Sequence, residues 1–165
     1  MATYNGEKYI RNQLQSLADQ THLPDELVLG DDGSSDATLD IIEDFRAQAP
    51  FPVRLHQNET NLGYARNFLE TAKRCQGDWI SFCDQDDVWL PNKLAETVNG
   101  VSETNDCCMV LQNAWLCNDT LTERHRKFPN RLEVGVHHSM GQYGFWVWLG
   151  CLQSVRRDVG GLWDN

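Results

Sequence analysis

Trp79-Ile80-Ser81-Phe82-Cys83-Asp84-Gln85-Asp86-Asp87 joins a short apolar run to three carboxylates within four residues. The run from Trp79 to Cys83 follows Gly77 and reads as a strand. Three like charges this close repel one another. A hard divalent cation relieves that repulsion, and oxygen ligands suit magnesium or manganese. An ion bridging two phosphates also stabilises a departing diphosphate as a Lewis acid. An acidic surface turn fits the cluster equally well, because aspartate is common in turns. The choice depends on where the strand end lies in the fold, and hence on the rest of the chain.

Upstream of this stretch the sequence alternates short apolar runs with helical stripes. Residues 7–20 carry Ile10, Leu14, Leu17 and Ala18 at helical spacing. Glu26–Gly30 contains Leu27-Val28-Leu29 and reads as a strand. Ser34 or Ser35 can cap a second helix with Leu39, Ile42 and Phe45 inside. Val53–His56 reads as a strand after Pro50 and Pro52. A third helix opens at Asn61-Leu62-Gly63 and places Tyr64, Ala65, Phe68, Leu69 and Ala72 on one side. Pro91 suits the first turn of a fourth helix bearing Leu94, Thr97, Val98 and Val101. Beyond Gly100, Met109–Leu116 reads as a strand and Thr120–Pro129 as a loop or short helix. Phe145–Leu149 reads as a strand or the start of a buried helix.

Strands alternating with helices predict an α/β fold, a mostly parallel sheet with helices on both faces. Ligands of such sheets sit at the carboxyl ends of the strands. Thr3-Tyr4-Asn5, Asp31-Asp32-Gly33 and Asp84-Gln85-Asp86-Asp87 all follow strand runs and would share that edge. A carboxylate in the second loop can accept from a nucleobase imide or a ribose hydroxyl, or it can serve only the turn and the helix cap. From Asp32 onward the spacing also approaches a calcium loop. Ala37 stands where that loop requires glycine, and a strand precedes it, so the calcium reading fails. Arg66, one turn into the third helix, suits a phosphate or base, and suits equally a solvated helix charge.

Composition narrows the partners. The chain has 165 residues, enough for one domain. Its formal charge is -10, from 24 acidic against 14 basic residues, which argues against nucleic acid. An acidic protein that handles phosphate needs a cation to neutralise it. The six cysteines form no CxxC pair and no zinc spacing, as expected of free thiols in a reducing compartment. No apolar run reaches membrane-span length. His137 and His138 are adjacent and would face opposite sides of a strand. No nucleophile elbow, Walker loop or Gly-x-Gly-x-x-Gly occurs. A nucleotidyltransferase expects a Gly-rich basic loop near its start, which Thr3–Lys8 does not supply.

Together, Ala2-Thr3-Tyr4-Asn5-Gly6, Asp31-Asp32-Gly33-Ser34-Ser35-Asp36, Asn61-Leu62-Gly63 with Arg66-Asn67, and Cys83-Asp84-Gln85-Asp86-Asp87-Val88-Trp89 resemble family 2 glycosyltransferases of the GT-A, Rossmann-like fold. The last segment is most similar to the rhamnosyltransferase-like branch that builds bacterial surface polysaccharides. The resemblance implies one GT-A domain over residues 1–165, with a nucleotide-binding half at 1–100 and a partial acceptor-side half at 101–165. It implies a UDP- or dTDP-sugar donor, a saccharide or lipid-linked acceptor, and Mg2+ or Mn2+. Its nucleotide-sugar residues would be Thr3, Tyr4, Asn5, Asp31, Asp32, Asn61, Gly63, Arg66, Asp84 and Gln85, with Asp84, Asp86 and Asp87 at the metal. Thr3 and Tyr4 would border the base, Asp32 would bond its imide, and Asp84 and Asp86 would form the DxD pair. The family inverts the anomeric centre in one displacement, with a carboxylate base on the acceptor hydroxyl. With no membrane-span run, and a start at Met1-Ala2-Thr3-Tyr4-Asn5-Gly6 that does not read as a signal peptide, the expected location is the cytoplasm, with peripheral contact at the inner face of the membrane as an option.

Two features depart from the family pattern. Only Met1 precedes Ala2, so the first strand is expected to be short, and a second copy of the chain could cover the bare edge. Gly150–Arg157 resembles the family's acceptor-side strand, after which an acidic, Trp-containing segment supplies the base. Asp164, beside Trp163, is the one candidate base in that position. The expectation is a truncated transferase. The alternative is a nucleotide- and metal-binding remnant that transfers nothing.

Overall fold

The computed structural model describes residues 1–102, 107–118, 120–122, 124–126 and 153–158. The elements run β1 (Ala2–Thr3), α1 (Ile10–Ala18), β2 (Leu27–Asp31), α2 (Thr38–Arg46), β3 (Val53–Gln57), α3 (Tyr64–Lys73), β4 (Trp79–Ser81), α4 (Lys93–Ser102), β5 (Met109–Leu111), β6 (Trp115–Cys117), β7 (Arg124–Arg126) and β8 (Gln153–Arg156).

β1, β2 and β3 form a parallel sheet in that order. Every residue of β2 is buried, as a central strand covered on both faces must be. Leu27 and Leu29 point to one face. There they join Ile10, Leu14 and Leu17 of α1 and Ile41, Ile42 and Phe45 of α2 in the main core. The helical spacing of these residues is what gives each helix one apolar face. Leu29 and Ile42 are wholly inaccessible. Burying side chains of this size contributes about 1.5–3 kcal/mol each.

The other face of β2 is built differently from the expectation. α3 turns Asn67, Thr71 and Ala72 inward and leaves Tyr64 83% exposed and Leu69 exposed. The cause is Gly30. A Cβ built there would lie 2.0 Å from Thr71 Oγ1 and 2.5 Å from Asn67 Oδ1. The helix therefore sits directly on the backbone of β2, and Asn67 Nδ2 donates to Gly30 O at 2.8 Å.

The cap of α2 also differs. Ala37 occupies the N-cap of α2 without a side-chain cap bond, and Thr38 N–H donates to Asp36 Oδ1 at 3.0 Å just ahead of it. The two serines reach back to the loop after β1 instead.

β4 leaves the parallel sheet. It pairs antiparallel with β8, which also pairs with β5, in a second three-stranded sheet. Val155 of β8 packs there with Ile80 and Ala72. β1 pairs only Gly30 and Asp31 of β2, too short a contact to link β2 with β4. The expected strand at Met109–Leu116 divides into β5 and β6. The expected loop or helix at Thr120–Pro129 contains β7, which pairs antiparallel with β6. Phe145–Leu149, His137, His138, Cys151 and Asp164 lie outside the described residues. The five described cysteines are free thiols.

Candidate functional site

The loops after β1, β2, β3 and β4 meet at the carboxyl edge of the parallel sheet, joined by hydrogen bonds. Asp31 organises the first junction. Its Oδ1 accepts from Thr3 Oγ1 at 2.9 Å and Ser34 Oγ at 2.6 Å. Its Oδ2 accepts from the backbone N–H of Gly33 and Ser34 at 3.1 and 2.9 Å. A carboxylate offers about four acceptor sites, so Asp31 has none left for a ligand. Thr3 is buried, with its hydroxyl committed to Asp31.

Asn5 adopts a left-handed backbone, φ 46, which asparagine tolerates better than most residues. That turn lets its N–H donate to Ser34 Oγ at 2.9 Å while its Oδ1 accepts from Ser35 N–H at 2.9 Å. Gly6 N–H donates to Thr38 Oγ1 at 2.7 Å, and Ala37 N–H donates to Glu7 Oε2 at 2.9 Å. The loops of β1 and β2 are thus one hydrogen-bonded unit.

Asp32 faces the other way. Asn58 Nδ2 and Leu62 N–H donate to its Oδ1 at 3.0 and 2.7 Å, and Gly63 N–H donates to its Oδ2 at 2.8 Å. Asn61 Nδ2 donates to Asp32 O at 3.0 Å. Gly63 has φ 78, a backbone that favours glycine, and this brings its N–H to the carboxylate. Three of four acceptor sites are filled, so Oδ2 keeps one. Asn58 has no place in the motifs above. Its position just past β3, on the same edge, was the available signal.

Gln85 clamps the loop after β4 to the loop after β1. Tyr4 N–H donates to its Oε1 at 2.9 Å, and its Nε2 donates to Tyr4 O at 3.0 Å. The side-chain amide is spent on backbone. Tyr4 itself is 51% exposed beside it.

The segment after β4 lies over α1. Trp89 N–H donates to Ser16 Oγ at 3.0 Å, and the buried Gln13 amide, oriented by its hydrogen bonds, donates to Asp87 O at 2.7 Å. Cys83 is buried, and burial pushes its thiol up to about 12, which excludes a thiolate nucleophile at neutral pH. Asp84 and Asp87 are half-buried and Asp86 is exposed. Among the described residues, no group of three His, Cys, Asp or Glu side chains converges to hold a metal. A three-carboxylate cage is therefore not what this loop builds. One or two carboxylates suffice for a magnesium-type ion when phosphates and water complete its shell, and the loop supplies that donor set. Arg66 is exposed on the first turn of α3, with no hydrogen-bond or ion-pair partner among the described residues.

The glycosyl transferase family 2 model matches residues 1–156. The dTDP-rhamnosyl transferase RfbG of Shigella flexneri is 34% identical over 118 residues, 69% of this chain and 38% of that protein. S. aureus TarS 1-349, solved in complex with UDP, superposes with a TM-score of 0.56 at 35% identity, over 62% of this chain and 30% of that one. The mannosyltransferase PcManGT of Pyrobaculum calidifontis, solved with GDP-Man and Mn2+, superposes with a TM-score of 0.60 over 67% of this chain and 33% of that one. At 22% identity it speaks to the fold alone, which is the GT-A type. The chain thus spans only about a third of the length of these relatives.

Proposed function

The chain belongs to glycosyl transferase family 2, and on that premise we propose that it binds a UDP- or dTDP-sugar at the joined loops and transfers the sugar to a saccharide or lipid-linked acceptor in bacterial surface polysaccharide synthesis. The observation that carries this reading is the clamp between Tyr4 and Gln85. It ties the loop that carries the exposed Tyr4 to the loop that carries Asp84, Asp86 and Asp87.

Each residue has a distinct task in this reading. Tyr4 borders the base, and Asp32 Oδ2 accepts one imide N–H. Thr3, Asn5, Asp31, Asn61 and Gly63 hold those two in place through the bonds described. Arg66 offers its guanidinium to the diphosphate. Asp84 and Asp86 hold Mg2+ or Mn2+, with Asp87 adjacent. The ion supplies charge neutralisation to the departing diphosphate. Residues 1–100 form the nucleotide-binding half and residues 101–165 part of the acceptor side. Among the described residues no helix is long and apolar enough to cross a membrane. A lipid-linked acceptor would bring the enzyme to the inner face of the membrane.

Calorimetry with UDP and dTDP, with and without Mn2+, tests the donor site. Asp86→Ala should weaken metal-dependent nucleotide binding by about tenfold or more, about 1.4 kcal/mol. Asp86 is exposed, so thermal stability should move by less than about 0.5 kcal/mol. Equal nucleotide affinity in EDTA would remove the metal from the reading. Nucleotide binding without turnover of any UDP- or dTDP-sugar would instead identify a binding remnant.

A further inference from the structure

Asp32 is buried just past the end of β2, and among the described residues every bond to its carboxylate comes from an N–H. Leu62 N–H reaches Oδ1 at 2.7 Å and Gly63 N–H reaches Oδ2 at 2.8 Å. Both belong to the loop that opens α3. The third donor is Asn58 Nδ2, which reaches Oδ1 at 3.0 Å from just past β3. A carboxylate oxygen accepts about two bonds. Oδ1 is therefore filled, and the open place lies on Oδ2. Asn58 is the residue that makes the two oxygens unequal.

Asn58 is not free to turn. Its backbone N–H donates to Asp31 O at 2.8 Å, which carries the β2–β3 ladder one residue further. The second hydrogen of its side-chain amide goes to Asn67 Oδ1 at 3.0 Å. Asn67 is 2% exposed, and its Nδ2 donates to Gly30 O at 2.8 Å. A backbone carbonyl only accepts, so Gly30 O turns Asn67 Nδ2 toward the strand and Oδ1 toward Asn58. Thr71 Oγ1 also donates to that Oδ1, at 3.5 Å. Asn67 Oδ1 and Asp32 Oδ1 are both acceptors, so Asn58 must face them with its nitrogen. Flipped, its oxygen would meet two others. The polarity set by the backbone of β2 is thus handed through Asn67 and Asn58 to Asp32. Hydrogen bonds linked in this way polarise one another in a buried site.

On the reading that Asp32 Oδ2 accepts the imide N–H of the base, we propose that Asn58 is a positioning residue for base selection. Its amide occupies Oδ1 and leaves Oδ2 as the single open acceptor, so the carboxylate favours a base with an N–H at that one place. Without Asn58, each oxygen holds one N–H and one open place. The carboxylate then presents two alternatives, water takes one of them, and the imide loses part of its advantage over a base that offers no hydrogen. In this role Asn58 touches neither base nor phosphate and acts through Asp32.

The test is base discrimination, read by calorimetry with UDP and N3-methyl-UDP in Mn2+. The wild type should bind UDP at least about tenfold more tightly, because the methyl group replaces the hydrogen that Asp32 accepts. Asn58→Ala should narrow that ratio by at least about threefold, through weaker UDP binding, with N3-methyl-UDP affinity unchanged within about twofold. Asn58→Asp keeps the side-chain shape but turns an oxygen toward Asp32, and should narrow the ratio at least as far. Hydrogen exchange at the position 58 amide reports whether the ladder to Asp31 survives in each variant. Equal weakening of both nucleotides would make Asn58 a support of the loop alone and overturn the proposal. An unchanged ratio, or unfolding of both variants, would overturn it too. A wild type that binds UDP and N3-methyl-UDP alike would remove Asp32 from base recognition, and Asn58 with it. A wild type that binds no UDP would bring down the donor-site reading itself, and this proposal with it.

Discussion

Gln85 joins two loops that are 81 residues apart in the chain, through both hydrogen bonds of a single amide. Gln85→Ala should cost about 1–2 kcal/mol in thermal unfolding, the net worth of two hydrogen bonds. It should also weaken UDP binding, because Tyr4 loses its fixed backbone. Gln85→Glu keeps the acceptor for Tyr4 N–H but sets a carboxylate against Tyr4 O, so it should not restore affinity. A fall in affinity without any loss of stability would instead mean that Gln85 touches the ligand. Its presence in the motif could be read from sequence; its role as a clamp could not. The same holds for Asp31 and Asp32, which are adjacent and chemically identical. Successive residues of a strand turn to opposite sides. One therefore meets Thr3 and Ser34, and the other meets the loop after β3. Which of them retains an acceptor depends on partners distant in the chain, and no local pattern encodes that.

Glu26 does at the level of elements what Gln85 does at the level of loops. It sits just ahead of β2 and accepts from the N–H of Gln76 and Gly77, ahead of β4. It also pairs with Arg54 of β3, whose guanidinium reaches Arg74 O at 2.9 Å after α3. Burial alone would raise the Glu26 carboxyl, but the Gln76 N–H, the Arg54 guanidinium and the Gly77 N–H outweigh it and hold it below its ordinary range. An acid depressed in the folded state stabilises the fold above its unfolded pKa, and that contribution is lost as pH falls through the folded value. Glu26→Gln should therefore cost about 1–2 kcal/mol near pH 7 and flatten the acid limb of the stability profile below roughly pH 4.5. Melting curves from pH 7 down to about pH 3 provide the check. The helices and the strands β2 and β3 were legible because their apolar periods are local. The inward face of α3 was misread because polar Asn67 and Thr71, not Phe68 and Leu69, fit against Gly30. The partner of β4 was not legible at all. Ser81 and Ser154, joined at 2.6 Å, lie 73 residues apart, and nothing near either serine announces the other.

At the scale of the whole molecule, the two sheets rest on cores of very different size. The parallel sheet shares one cluster with α1, α2, Trp89 and Leu94. The antiparallel sheet has Ala72, Ile80 and Val155 as its buried cluster, with Cys75, Phe82 and Met109 packed at its margin. Local stability follows the apolar contact that must be broken to open a segment. Native-state hydrogen exchange should therefore show Leu29 and Ile42 opening only with global unfolding. The amides of Ile80 and Val155 should exchange at least about tenfold faster, through a smaller opening that costs about 1.4 kcal/mol less or lower still. The link between the sheets runs through α3, whose Asn67 sits on Gly30 while Ala72 belongs to the smaller cluster. Nucleotide bound at the loop edge spans both units through Tyr4 and Gln85, so UDP should slow exchange at Ile80 more than at Leu29. Equal slowing at both positions would show that the sheets unfold as one unit. In that case the Tyr4–Gln85 clamp would be a feature of a single rigid body and not the joint between two.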